Sequence, residues 1–197
     1  MKCETVLSRI RFALVLLSLA APLASAQSSA PKPMTMTFAF LGTEYVHQWS
    51  NGGQHEFTPH AQADLTSWED MVTLNVYEST STGEQLADVA NTVLGSYQRL
   101  GKILRTDSTP RTADRAAEHL IVAVLGNPAF LEAAFARFAL VDGAGMNVVY
   151  SHRVYGTSAG PAMSTWLESN GPQVERALMA WTPIPDPKAL QQLPQRR

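Results

Sequence analysis

After position 3 the chain contains no cysteine. A thiol nucleophile, a cysteine metal site and a disulfide framework are therefore excluded, and the fold has to be held by packing alone. No Asn-x-Ser/Thr acceptor occurs, which agrees with a bacterial periplasm. No apolar run reaches the roughly 20 residues that span a bilayer, and no segment repeats. Lys and Arg are missing between Pro33 and Gln98, a stretch that carries eight acidic residues: Glu44, Glu56, Asp64, Glu69, Asp70, Glu78, Glu84 and Asp88.

The N-terminus does carry a signal. Lys2, Arg9 and Arg11 precede the apolar run Phe12 to Leu23, and Ala24-Ser25-Ala26 follows it. This is the charged, apolar, A-x-A order of a secretory signal peptide, so cleavage is expected near Ala26 and the protein is expected in the periplasm or outside the cell. Cys3 lies before the apolar run, away from the position of a lipid-modified cysteine. Removing Lys2, Arg9, Arg11 and Glu4 from the 15 basic and 17 acidic residues leaves 12 and 16, a formal charge of −4. That balance argues against a nucleic-acid partner. Between Arg99 and Arg115 the bias reverses to five basic residues against two acidic ones. The acidic first half is thus a candidate surface for a basic partner, a solvated acidic face being the plainer reading.

Periodicity gives the elements. Residues 27–33 read as a disordered leader, 34–182 as one globular domain and 183–197 as an extended, proline-rich tail. Strands are expected over Met34 to Leu41, in a hairpin from Glu44 to Thr58 turning at Asn51-Gly52, and over Met71 to Tyr77. Ser81 with Glu84 makes a capping box for a helix whose apolar stripe runs from Leu86 to Leu100, with Gly101 expected at C′. Lys102 to Thr106 and Glu118 to Leu125 read as strands. Ala129 to Val141 fits a helical stripe or a strand, and strand is preferred because the turn Asp142 to Gly145 then closes a hairpin. In Gly145 to Tyr155, Met146, Val148, Tyr150, His152 and Val154 alternate with Asn147, Val149, Ser151, Arg153 and Tyr155, a central strand. Two helices are expected after it, broken at Asn170-Gly171-Pro172.

Gly156-Thr157-Ser158-Ala159-Gly160 fits the G-x-S-x-G pattern of a nucleophile elbow. In that fold the histidine follows the serine, whereas all five histidines here (His47, His55, His60, His119, His152) precede Ser158. The favoured reading is a turn that caps the next helix through Thr157 or Ser158. His47, His55 and His60 with Glu44 and Glu56 are metal-ligand types, but their spacing matches no motif and solvated hairpin histidines are expected instead. The carboxylate pairs Glu69 with Asp70 and Glu44 with Glu56 are weaker candidates still. No cofactor and no metal is expected. What survives is protein binding by the hairpin, with Glu44, Tyr45, His47, Trp49, Asn51, His55 and Glu56 as the candidate partner-binding set.

Trp68-Glu69-Asp70-Met71 leading into a strand, the helix from Glu84 to Leu100, the hairpin around Asp142 to Gly145 and a helix closing at Trp181 together resemble the Mog1/PsbP-like α/β/α sandwich. The resemblance covers most of the chain and transfers no functional residue. It implies a non-catalytic binding role. The expected fold is α+β, an antiparallel sheet packed by one long amphipathic helix and a C-terminal helix. The expected function is a non-enzymatic periplasmic binding domain, most concretely an immunity or inhibitor protein against a secreted toxin with a basic cleft. An accessory factor for an envelope complex and a hydrolase using Ser158 are the alternatives.

Overall fold

The computed structural model describes residues 35–196, and the signal peptide expected over residues 1–26 lies outside them. Eight strands form one fully antiparallel sheet: β1 (Thr37–Phe40), β2 (Thr43–Asn51), β3 (Gln54–Pro59), β4 (Asp70–Tyr77), β5 (Gly101–Thr109), β6 (Glu118–Gly126), β7 (Phe130–Val141) and β8 (Ala144–Tyr155). Their spatial order is β1-β2-β3-β4-β8-β7-β6-β5. Each half of the chain is a four-stranded meander, and the halves join where β4 pairs with β8. Charge that is segregated in sequence is therefore segregated across the sheet.

The alternation in β8 decides the layers. Met146, Val148 and Tyr150 point to one side, and Val149 to the other. The second side carries α1 (Gly83–Leu100), whose Leu86 and Ala90 pack on Ile121, Ala134, Ala136, Phe138 and Val149. Ala134 and Ala136 are wholly buried, and their small size lets the helix approach the sheet. The first side carries α2 (Ala159–Ala180), whose Met163, Val174 and Leu178 pack in one cluster with Phe135, Tyr150 and Val122. The α+β expectation holds, with a helix on each face, and the Ala129 to Val141 segment forms a strand, as preferred, over Phe130–Val141.

Several boundaries differ from expectation. The capping box is shifted by one: Thr82 Oγ1 accepts from the Gln85 N–H, and the Gln85 side chain accepts from the Thr82 N–H. Ser-Thr-Gly-Glu-Gln satisfies the pattern in both registers, and the structure uses the second. Gly101 is extended rather than left-handed. Glycine is needed there because a Cβ would lie 2.1 Å from the Val124 carbonyl oxygen as β5 starts directly off the helix. The helix after β8 is continuous through Pro172. The proline costs the N–H that would bond the Glu168 carbonyl, but both residues are exposed and water can serve that oxygen. On the inner side Gly171 is buried against Phe135, so the apolar stripe runs on unbroken.

The tail is not simply extended. After α2 it forms a short helix, α3 (Pro187–Gln191), and Leu190 and Leu193 enter the core beside Phe40, Tyr45, Phe57 and Trp181. The Arg196 N–H donates to the Ser50 carbonyl at 2.8 Å. The described tail residues share the core of the sheet, so the domain extends past 182.

Three hairpin turns use left-handed backbone, the β7–β8 turn through Asp142 and Gly143. In the β2–β3 turn Gly52 and Gly53 supply it, one residue beyond the expected Asn51-Gly52. In the β1–β2 turn the first residue is Leu41, at φ 51°, followed by Gly42. A branched side chain there carries strain of about 1–2 kcal/mol. Leu41→Asn is expected to raise stability by about 1 kcal/mol, seen as a higher urea midpoint with an unchanged slope. An unchanged or lower midpoint would show that the turn is not strained.

Candidate binding surface on the open half of the sheet

The two faces of the sheet are covered unequally. On the α2 side the core takes in residues of β1 to β4, namely Phe40, Tyr45, Phe57, Val72 and Leu74, and the tail completes it. On the α1 side the hydrophobic cluster ends at Val149 and includes no residue of β1 to β4. That half of the sheet presents Val46, Trp49, Gln54, Glu56, Thr73, Asn75 and Tyr77, all half-buried.

A bulge sorts the seven predicted residues between the two faces. Tyr45 pairs with Pro59 and His47 with Phe57, but the register then slips at Gln48 so that Trp49 pairs with Glu56 and Ser50 with His55. One extra residue reverses the alternation. Tyr45, His47, Ser50 and His55 consequently point to the α2 side. Glu44, Trp49, Asn51 and Glu56 point to the open side. The unbroken alternation of a regular strand would place Tyr45, His47 and Trp49 on one face, and the bulge overturns that arrangement. Tyr45, 2% exposed, and His55, 0% exposed, both lie on the α2 side, so neither side chain is presented on the open face and both leave the binding set there.

The expected solvated hairpin histidines are also corrected for two of the three. His47 Nε2 and His55 Nδ1 both meet Ser50 Oγ, at 2.6 and 2.7 Å. Burial lowers the pKa of both, and that of His55 falls to about 4. His60 lies exposed in the single helical turn after β3 and does not join them. Among the described residues no group of three or more His, Cys, Asp or Glu side chains could hold a metal ion.

Across the open face runs a polar row that sequence reasoning missed. Arg153 of β8 donates to Glu132 of β7 at 2.8 Å, and its guanidinium lies 3.8 Å over the Trp68 ring and 4.0 Å over the Phe130 ring. Stacking between two rings, together with the carboxylate, fixes the cation. Glu56 feels both charges. Burial raises its pKa first, the Gln54 bond and Arg153 oppose this, and Glu132 adds to it. Neither Glu44 nor Glu56 forms an ion pair among the described residues. They are not a catalytic pair: Glu56 sits opposite Trp49, and at about 3.3 Å per residue Glu44 lies well over 10 Å along the strand.

On the other face Asp70 Oδ1 accepts from Tyr150 Oη at 2.7 Å and from His152 Nδ1 at 2.9 Å, and the His152 ring stacks on Trp166 at 4.0 Å. Their adjacency follows from Asp70 pairing with His152 across β4 and β8. The signal was present in the β8 alternation, but the partner strand was not known. Ser158 stands exposed at the α2 N-cap; its hydroxyl makes no capping bond and none to His152. Glu69 is exposed and Asp70 half-buried, the opposed facing expected of neighbours on extended chain.

Among the described residues no helix is long and apolar enough to cross a membrane. No protein-family model and no curated protein matches the sequence. Among solved structures the chain is similar to PA94 from Pseudomonas aeruginosa, a protein of unknown function, at 13% identity over 77% of this chain and 99% of that one, with a TM-score of 0.43. A superposition that loose carries no inference about fold or activity.

Proposed function

We propose that this protein is an exported, non-enzymatic binding domain of the Mog1/PsbP-like kind, and that it docks a basic segment of another protein on the open half of its sheet. The observation that carries this reading is the coincidence of Trp49 and Tyr77 with the unpaired carboxylates Glu44 and Glu56 on the one part of the sheet that the α1 core leaves bare. Aromatic side chains supply most of the energy of small interfaces, and unpaired carboxylates favour a Lys/Arg-bearing partner and speed its encounter. The most concrete version is an immunity or inhibitor protein in the periplasm that occludes the basic cleft of a secreted toxic enzyme. A resident envelope complex that uses the protein as an assembly factor is the second reading, and genomic neighbours distinguish the two. The hydrolase reading gains nothing from the geometry, since Ser158 and His152 share no hydrogen bond.

The test is co-purification with the toxins encoded beside the gene. A stoichiometric complex is expected, and Trp49→Ala should weaken it by at least about 30-fold, the loss of roughly 2 kcal/mol typical of a central aromatic. Absence of a stoichiometric partner, or a complex indifferent to Trp49→Ala and to Glu44→Lys, would reject the docking face.

A further inference from the structure

We propose that a recess on the α2 side, between the β1–β2 turn, the start of β4 and the middle of α2, is a binding site for a primary ammonium group. Its walls include Asp70, Tyr45, Tyr150, Trp166, Asn170 and Gln173, and it encloses about 260 Å³. That is several times the roughly 30 Å³ of a water molecule but below the range of drug-sized ligand pockets. It admits a short chain ending in a small polar head.

The lining specifies the head. Asp70 is the only charged side chain on these walls, and its side chain keeps 28% exposure; Tyr150 and His152 bond its Oδ1, and Gln62 is a further hydrogen-bond partner. No Lys or Arg pairs with it among the described residues. Tyr45 is almost wholly buried on the wall, yet its hydroxyl hydrogen-bonds to no described residue. Burial raises the pKa of Tyr45 and Tyr150, and Asp70 adds to the effect, so both phenols stay neutral and can accept. A carboxylate, phenol oxygens and side-chain amides give an N–H donor several acceptors. A quaternary ammonium, which has no N–H, feels the Asp70 charge but donates no hydrogen bond to these acceptors. Leu41, held in its strained left-handed conformation, forms part of the rim, and strain of this kind concentrates at functional sites.

The ammonium can belong to a free amine or to a lysine side chain of a peptide or protein. The site lies on the face opposite the proposed docking surface and does not depend on it. The test titrates the full chain by NMR, following the Trp166 indole, with n-butylammonium chloride, Nα-acetyl-lysine-N-methylamide and tetramethylammonium chloride. A saturable shift with a Kd of about 10 mM or tighter is expected for at least one primary ammonium. Saturation by n-butylammonium assigns the site to free amines, and saturation by the lysine derivative alone assigns it to a presented lysine. Asp70→Asn keeps an acceptor for Tyr150 and His152 but removes the charge, and should weaken binding about tenfold or more. Tyr45→Phe should weaken it about threefold or more with the fold intact. The proposal is overturned if neither primary ammonium saturates, if tetramethylammonium binds as well, or if wild-type affinity survives in both variants.

Discussion

Arg137→Met is expected to lose about 3–5 kcal/mol of folding stability, a large share of the 5–15 kcal/mol available to a domain of this size. The side chain stands on the α2 face of β7, where it is 8% exposed beside a 10% exposed Glu118. Its Nε donates to Glu118 Oε2, and its Nη1 donates to the carbonyls of Leu178 and Trp181, all at 2.8 Å. One cation thus neutralises a buried carboxylate and satisfies carbonyls at the end of α2, where the helix dipole favours positive charge. Methionine fills the volume and does neither. The loss comes from leaving Glu118 buried without a counter-charge, so Glu118→Leu added to Arg137→Met should restore most of it. Urea unfolding of the single and double variants checks this. A single variant within 1 kcal/mol of wild type, or a double variant no better than the single one, would contradict the assignment.

Acidification should destabilise the protein by about 3 kcal/mol between pH 6.5 and pH 4 through His55. His55 is fully buried, its Nδ1 meets Ser50 Oγ, and its Nε2 has no partner. Ser50 Oγ can donate to one imidazole and accept from the other, so the His47–Ser50–His55 chain is satisfied with both rings neutral. A proton on His55 adds a buried charge and leaves an N–H without an acceptor. Burial, with the nearby His47 adding to it, lowers its folded pKa to about 4. A depressed histidine pKa means that the unfolded chain binds the extra proton more readily. Its contribution is therefore complete above about pH 6.5 and is lost as the pH falls towards 4. His47 is shifted in the same direction by burial. Glu56, raised by burial, works the other way and offsets part of the loss. Asp70, held low by His152 and Tyr150 against the effect of burial, titrates below this window. Urea midpoints measured from pH 7 to 4 should fall in the wild type and flatten in His55→Gln. An equal slope in both would place the pH dependence elsewhere.

How much of this was legible in the sequence depends on whether the governing contact is local. The β8 strand was legible because Met146 to Tyr155 alternates through its whole length, and α1 because its stripe and cap lie within one segment. The strand at 130–141 was decided correctly through the turn that closes its hairpin. The Gln48 bulge was not legible, because a single inserted residue leaves the composition of β2 unchanged while it transfers Trp49 to the opposite face from His47. Pro172 looked like a break, yet the exposure of Glu168 and the burial of Gly171 decide the outcome, and both depend on where the sheet lies. The tail looked extended because its prolines dominate the pattern, whereas Leu190 and Leu193 find a core built by β1, β2 and β3. Of the seven candidate binding residues, Glu44, Trp49, Asn51 and Glu56 share the open face. Arg153 and Glu132, which organise that face, were not in the set because β3 and β7 are brought near each other only by the β4–β8 junction.

That junction also gives the charge segregation its meaning. The acidic first half of the chain is the β1–β4 half of the sheet, and Lys102 and Arg105 lie on β5 at the far edge. The central claim is that the acidic half docks a basic partner through its open face. Its most direct test is the affinity of the wild type and of Glu44→Lys/Trp49→Ala for a co-purified partner at low and high salt. The account predicts a complex that weakens with salt and is lost in the double variant, whose folding stability is unchanged within about 1 kcal/mol. A partner that binds the double variant as tightly as the wild type, with no salt dependence, would contradict it.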